Sequence, residues 1–512
     1  MVFGAAWMMS VRFMDRGIGL ASTIILARVL MPTDFGVVAM AMGVVALLEL
    51  FAQFGVGEAL IQRRDVDRAH YDTAWTFNVL LGCAIGTALL ALAWPASIFY
   101  QHPSLVSVLV VLAAAPVIQG LENIGLIAFR RDLNFKADFL ITTCKRLILF
   151  AITVSLALLL RSYWALVIGI VAGRALGVVL SYFVQSYRPR FSLAARSELF
   201  GFSKWVLGTN MLAFALQRCS DVVVGRLLGA RALGLYNVGA EIATLPTSEL
   251  IAPINRAVFP GFAKIAGDRP ALRREYFTFI GFIALIGIPA AVGLASVAPI
   301  VVALVLGPNW LEAIPIVSII ALAGAVQLLQ TTNYAVYLAV GRPSRQVVTL
   351  LVQITVLVPA MTYLASSNGI IGATYAFALC WTVSLPVALT LVLREIDGRI
   401  SEFAREVWRP VVAASAMYVA LQYFHPGGES RTTAQLLTAL LESVLFGGVV
   451  YVAVVLVCWL VAGKPVSSEM TILHQISEIS GRVQRIVRRR PRTTVPAVVG
   501  LNADRETDKD FL

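Results

Sequence analysis

The sequence predicts an all-α protein that crosses a membrane about fourteen times, and three observations carry that expectation. Hydrophobic residues make up 59% of the 512 positions and charged ones only 14%, too apolar a mixture for a soluble surface. Apolar stretches of about 20 residues, enough to cross hydrocarbon, follow one another with short polar turns between them. Lysine and arginine are concentrated in every second turn, as the positive-inside rule requires of a multi-pass chain.

Cutting at the turns gives spans at 4–30, 36–60, 72–99, 104–128 and 138–160. Five more follow at 164–185, 202–228, 234–259, 277–305 and 314–339, and the last four at 346–365, 369–393, 408–424 and 435–462. The first is too long for a cleavable signal and carries Arg12, Asp15 and Arg16, so a retained span is expected. An even number of spans puts both termini on one side. The turns around Arg63/Arg64, Arg130/Arg131, Arg188/Arg190, Arg273/Arg274, Arg342/Arg345 and Arg394/Arg399 are basic, as is the C-terminal tail. The alternate turns hold only Arg161, Arg231 and Arg431, so both termini are expected in the cytoplasm.

The chain also reads as duplicated. Residues 27–37 are ARVLMPTDFGV and residues 225–235 are GRLLGARALGL, so Arg28, Leu30 and Gly36 recur as Arg226, Leu228 and Gly234 at an offset of 198. Both copies sit where one helix ends and the next opens. An offset of six spans is even, which makes the copies parallel repeats related by an axis along the membrane normal. The expected organisation is therefore an N-terminal lobe (1–190), a C-terminal lobe (191–396), an added helix pair (397–463) and a basic tail (464–512). In that tail Ile472, Ile476, Ile479, Val483 and Ile486 recur at helical spacing beside Arg482, Arg485 and Arg488. Either an interfacial helix on anionic lipid or a solvated tail fits this pattern, with disorder beyond Pro491.

Cations fall inside the spans, among them Arg12, Arg16, Arg28, Lys145, Arg146, Arg174, Arg218, Arg226 and Arg256. Each would cost about 2.5–3.5 kcal/mol facing lipid at a helix centre, so protein, water or an anion must meet them. Arg28 and Arg226 lie near helix ends, and Lys145 and Arg146 near the basic side, where snorkelling or tying a turn explains them. Arg12, Arg16, Arg174, Arg218 and Arg256 are the candidate substrate-binding cations. Arg12, Asp15, Arg16, Gly19 and Thr23 form one polar stripe on the first span. Asn237, Glu241, Thr244, Ser248 and Asn255 form another on the eighth, with Pro246 and Pro253 able to break it. A wet cavity between the lobes accommodates both. Glu49, Asp221 and Glu241 are candidate ion-coupling groups, the alternative being that they and their fellow acids pair with the arginines.

Several classes are disfavoured. The net charge of +12 is spread over short turns and one tail, which speaks for topology rather than nucleic acid. Cys83, Cys144, Cys219, Cys380 and Cys458 lie in apolar segments without ligand spacing, so neither disulfides nor metal are expected. No nucleotide-binding GxxxxGK[ST] motif occurs, and no cofactor is expected.

ARVLMPTDFGV, the Leu60-Ile61-Gln62-Arg63 exit from the second span, GRLLGARALGLYNVG and LGPNWLEA at 306–313 resemble the polysaccharide-export flippases. These form the Wzx-type branch of the multidrug/oligosaccharidyl-lipid/polysaccharide exporter superfamily. The resemblance covers most of residues 1–460 and implies a fourteen-helix inner-membrane protein of two six-helix lobes. It implies translocation of undecaprenyl-diphosphate-linked oligosaccharide to the periplasmic leaflet for lipopolysaccharide, capsule or exopolysaccharide, with a polymerase and a chain-length regulator as possible partners. It also implies that cations on the first helices of each lobe bind the diphosphate, a region occupied here by Arg12, Arg16, Arg218 and Arg256. The rival readings are an ion-coupled multidrug or metabolite exporter of the same superfamily, a membrane-embedded polymerase or ligase, and a scaffold. The arginine-rich spans and the extra helix pair disfavour the first, and the short turns on the sparsely charged side disfavour the second.

Overall fold

Hydrocarbon offers the backbone no hydrogen-bonding partner, and every regular element among the described residues of this computed structural model is accordingly a helix. The structure describes residues 2–52, 60, 67–131, 135–195, 204–424 and 432–463. Within them, side chains are described except at 2–13, 15–16, 51–52, 130, 135–138, 204–211, 213, 249–257 and 424. The tail and its expected interfacial helix lie outside the described residues.

The first group of helices comprises α1 (Val2–Val29), α2 (Pro32–Ala52), α3 (Arg68–Tyr100), α4 (Ser104–Leu112), α5 (Ala114–Gly120), α6 (Ile127–Arg131), α7 (Phe135–Leu160) and α8 (Trp164–Val184). A second comprises α9 (Lys204–Ile265), α10 (Arg269–Val305), α11 (Ile314–Leu328), α12 (Asn333–Ala339) and α13 (Ser344–Glu395). The chain closes with α14 (Ile400–Phe424) and α15 (Thr433–Val461). Over its described residues, each of the fourteen predicted spans falls mainly on helix. Eight described segments are long and apolar enough to cross a membrane by length and composition, which makes this a multi-pass membrane protein.

Four details depart from the simple reading, each for a local reason. Spans seven and eight run together as α9, bent at Gly229 (φ 81°), and spans eleven and twelve as α13, bent at Gly369 (φ 60°). Glycine reaches such left-handed angles without a Cβ clash. Span four breaks at Ala113, three residues before Pro116, whose ring nitrogen cannot donate back along the helix. Span ten breaks between α11 and α12, where Gln330 donates sideways to the Trp381 carbonyl (3.0 Å) and Asn333 accepts from the Tyr276 hydroxyl (2.9 Å). The second span starts early: Pro32 opens α2, its missing N–H costing nothing in a first turn.

In the first group α1 lies on α7, α7 on α8, α8 on α4 and α5, and α3 on α2, α4 and α5. In the second, α9 packs against α10, α11, α12 and α13. The principal contact between the groups is α2 against α9, and α14 and α15 pack on α10 and on each other. Two apolar cores result. One runs from Met40 and Val45 of α2 through Leu105 and Leu109 of α4 to Leu233 and Ile316. The other joins Phe262, Tyr276 and Ile280 to Val407 and Met417 of α14 and Tyr451 of α15.

Candidate translocation site

Three of the stretches singled out in the sequence meet at one end of the bundle, where α1 passes into α2. A Cβ on Gly36 would lie 1.7 Å from the carbonyl oxygen of Ala230, and one on Gly234 would lie 1.8 Å from that of Pro32. Pro32 and Ala230 are themselves 198 positions apart. The contact is thus reciprocal, the two repeat copies crossing backbone to backbone on a local two-fold axis. Only glycine permits that approach.

The third stretch locks the crossing. Gly307 (φ 91°) turns the chain after α10 so that Trp310 points inward, fully buried. Its indole nitrogen donates to the Ala27 carbonyl at 2.8 Å, and its ring meets Phe35 edge-on at 5.2 Å. Asp34 fixes the turn itself, its carboxylate accepting from Met31 N (2.9 Å) and Tyr163 N (3.0 Å).

Each repeat arginine reaches across to the other group. The Arg28 guanidinium donates to the carbonyls of Leu304 and Val305, the last turn of α10, where the helix dipole favours a cation. Arg226 lies 5.8 Å over the ring of Phe99 at the end of α3. Outside them Arg231 pairs with Glu312 at 2.8 Å. Of the fourth stretch only Leu60, fully buried, is described.

Away from this seam three intramembrane ion pairs stand out. Arg174 on α8 donates from Nη2 to Glu49 on α2 at 2.9 Å. Its Nη1 is buried without a partner among the described residues. Lys145 on α7 donates to Glu122, in the turn after α5. Arg218 donates from Nη1 to Asp221, one turn on in α9, at 2.9 Å. Asp221 is 9% exposed and also hydrogen-bonded to Asn237, whereas Arg218 is 42% exposed. Glu241, half-buried, follows one turn after Asn237 on the same helix. Arg12 and Arg16 fall on α1 and Arg256 on α9, with side chains outside the described residues.

The structure therefore brings Arg174 to Glu49 and Arg218 to Asp221. The second pair is visible in the sequence as an i, i+3 spacing. The first is not, because its members are 125 residues apart and only packing makes them neighbours. Chemically, an arginine has five N–H donors in a planar fork matched to carboxylate or phosphate oxygens. Arg218 spends one on Asp221, and its side chain is otherwise 42% exposed. No group of three His, Cys, Asp or Glu able to hold a metal occurs among the described residues.

Comparison with known proteins follows the same lines. A family profile described as polysaccharide biosynthesis protein matches residues 25–315. The chain is 25% identical over 418 residues to the lipopolysaccharide biosynthesis protein WzxC of Escherichia coli (strain K12), covering 80% of this chain and 84% of that one. It is 23% identical over 448 residues to the succinoglycan biosynthesis transport protein ExoT of Rhizobium meliloti (strain 1021), covering 86% and 89%. Its fold resembles the inward closed conformation of the lipid II flippase MurJ, with a TM-score of 0.70 at 12% identity over 90% of this chain and 99% of that one.

Proposed function

Because the chain belongs to the polysaccharide biosynthesis protein family, we propose that it is a flippase for undecaprenyl-diphosphate-linked oligosaccharide. It carries the lipid from the cytoplasmic to the periplasmic leaflet of the bacterial inner membrane by alternating access, and makes or breaks no covalent bond. Surface polysaccharide biosynthesis, whether lipopolysaccharide, capsule or exopolysaccharide, is the process it serves, with a polymerase and a chain-length regulator acting on what it delivers.

The observation that carries this reading is the reciprocal crossing of Gly36 and Gly234 at one end of the bundle, with charged residues deeper in. A carrier that alternates must close one end at a time, and parallel repeats meeting on an axis along the membrane normal supply such a closure. Residues 1–190 and 191–396 act as the two lobes, 397–463 as the added pair and 464–512 as the tail. Both termini lie in the cytoplasm, so the seam is the periplasmic gate.

A lipid diphosphate is multiply charged and cannot cross hydrocarbon unaided. Arg12, Arg16, Arg174, Arg218 and Arg256 serve as its cationic path, charge-assisted bonds to a guanidinium being roughly twice as strong as neutral ones. The observed pairs give the coupling a concrete form. Diphosphate oxygens replace Asp221 at Arg218, and the released carboxylate takes up a proton or sodium ion, while Arg174, still paired with Glu49, has its unpartnered Nη1 to offer. Glu241 is the third acid of this set. Asp221→Asn should keep substrate binding and lose gradient-driven flipping, and Glu49→Gln and Glu241→Gln are the parallel tests. Unchanged gradient dependence in all three would leave these acids as ion-pair partners only.

An ion-coupled drug or metabolite exporter is the runner-up. The experiment that separates the readings is deletion of the gene. A flippase deletion accumulates lipid-linked oligosaccharide and loses surface polysaccharide, while an exporter deletion changes only drug or metabolite tolerance.

A further inference from the structure

A cavity of about 480 Å³ opens inside the first helix group, between α2, α3 and α5 on one side and α6 and α7 on the other. It is within the size range of small-molecule sites, roughly 300–1,000 Å³. It is distinct from the seam and from Arg218. Two features define its chemistry.

The first is charge balance. Glu122 and Glu49 both line it, but Glu122 is paired with Lys145 and Glu49 with Arg174. A metal cation would have to displace Lys145 or Arg174, and an anion would have to displace a carboxylate. Breaking either pair leaves a charge uncompensated inside the membrane segment. A neutral ligand meets no such cost.

The second is unspent hydrogen-bonding capacity. Asn78, Gln119 and Thr142 line the cavity and make no side-chain hydrogen bond to the described residues. Unmatched dipoles at membrane depth need water or a ligand. Each of these groups both donates and accepts, as sugar hydroxyls do. Leu81, Ile85 and Phe129 offer apolar surface to the C–H face of a ring.

We propose that this cavity is a saccharide subsite, in which Asn78, Gln119 and Thr142 hydrogen-bond a neutral, hydroxyl-bearing sugar ring of the lipid-linked oligosaccharide. The inference rests on the flippase reading and deepens it: cations hold the diphosphate, and a separate pocket reads the glycan. The floor is preorganised for that task. Asn123 is fixed by its side-chain bonds to Gly125 N (2.9 Å) and the Tyr187 carbonyl (2.7 Å), and Ser181 accepts from Asn123 N (3.0 Å).

The test uses full-length protein in nanodiscs and two probes. One is the lipid-linked oligosaccharide extracted from the deletion strain, and the other is undecaprenyl diphosphate without sugar. Wild type should bind the glycosylated lipid more tightly than the bare one. Asn78→Ala/Thr142→Ala should lose about tenfold on the glycosylated lipid, as expected for two neutral hydrogen bonds, and nothing on the bare one. Gln119→Ala, at an exposed side chain whose removal leaves the packing intact, should show a smaller loss of the same kind. Equal binding of the two lipids by wild type overturns the proposal, as does full retention of the preference in Gln119→Ala and in the double variant. If wild type binds neither lipid, the flippase reading itself fails.

Discussion

Among the described glycines, Gly36 and Gly234 make the closest approaches between the two helix groups. An added methyl at either would sit under 2 Å from a carbonyl oxygen, and a backbone atom cannot swing aside as a side chain would. The seam would have to part. Overpacking of this kind costs about 1–3 kcal/mol, enough to shift a two-state gate several-fold to a hundredfold. Gly36→Ala and Gly234→Ala should therefore insert at normal levels but expose the seam. Leu233→Cys, fully buried in the closed seam, would report this in a background freed of the native cysteines. Labelling by a membrane-impermeant thiol reagent should rise in both glycine variants, and by similar factors, because the two contacts are repeat-related. Unchanged labelling would mean that the crossing is not a gate. These glycines were legible in the sequence because a repeat offset is a property of the string. The burial of Trp310 against Ala27 was not, since it depends on how α10 returns to α1 across 283 positions.

Arg218 invites a second residue-scale experiment. If its exposed fork holds the diphosphate, Arg218→Ala should keep near-normal membrane abundance and lose export, and Arg218→Lys should recover only part, lacking the fork geometry. If the residue only secures Asp221, the alanine variant should vanish from the membrane and Arg218→Ala/Asp221→Ala should restore abundance and export together. Membrane immunoblots beside surface-polysaccharide assays tell these apart. Normal export by Arg218→Ala would remove the binding role.

At the scale of elements, hydropathy placed the long helices because a hydrocarbon core leaves few alternatives to apolar runs of span length. Ends and breaks depended on finer chemistry. Asp67 caps α3 in a capping box with His70, accepting from His70 N at 3.1 Å. Hydrogen bonds from His70 hold the Asp67 carboxyl below its ordinary range. A lowered folded pKa means stabilisation that is complete above the unfolded value and is lost as pH falls through the folded one. Asp67→Ala should lower the melting temperature in detergent at pH 7, because the cap's hydrogen bond to the first turn is lost. The gap between variant and wild type should close as the pH drops below the usual aspartate range. A pH-independent gap would assign the effect to packing instead. Span four illustrates the opposite case: Pro116 was visible in the sequence, yet the break it causes falls at Ala113, one turn away.

For the whole molecule, the pattern of lysine and arginine predicts an orientation that reporter fusions can check. Fusions at Asp65, Arg190 and Arg342 should read cytoplasmic, and one at His102 periplasmic. A periplasmic signal at Arg190 would place the seam on the wrong side for a periplasmic gate. The pairing of the two helix groups through α2 and α9 could be anticipated from the duplication. The cavity between α3 and α7 could not, because its polar groups come from four separate stretches with no shared period.

Vectorial movement of a glycolipid is read out by the leaflet in which that glycolipid lies. Spheroplasts depleted of this protein would be treated with a membrane-impermeant glycosidase, and the lipid-linked oligosaccharide surviving digestion quantified. The account expects protected glycolipid to accumulate on depletion and to become accessible again when wild-type protein, but not Arg218→Ala, is restored. An accessible fraction that is the same with and without the protein would contradict it.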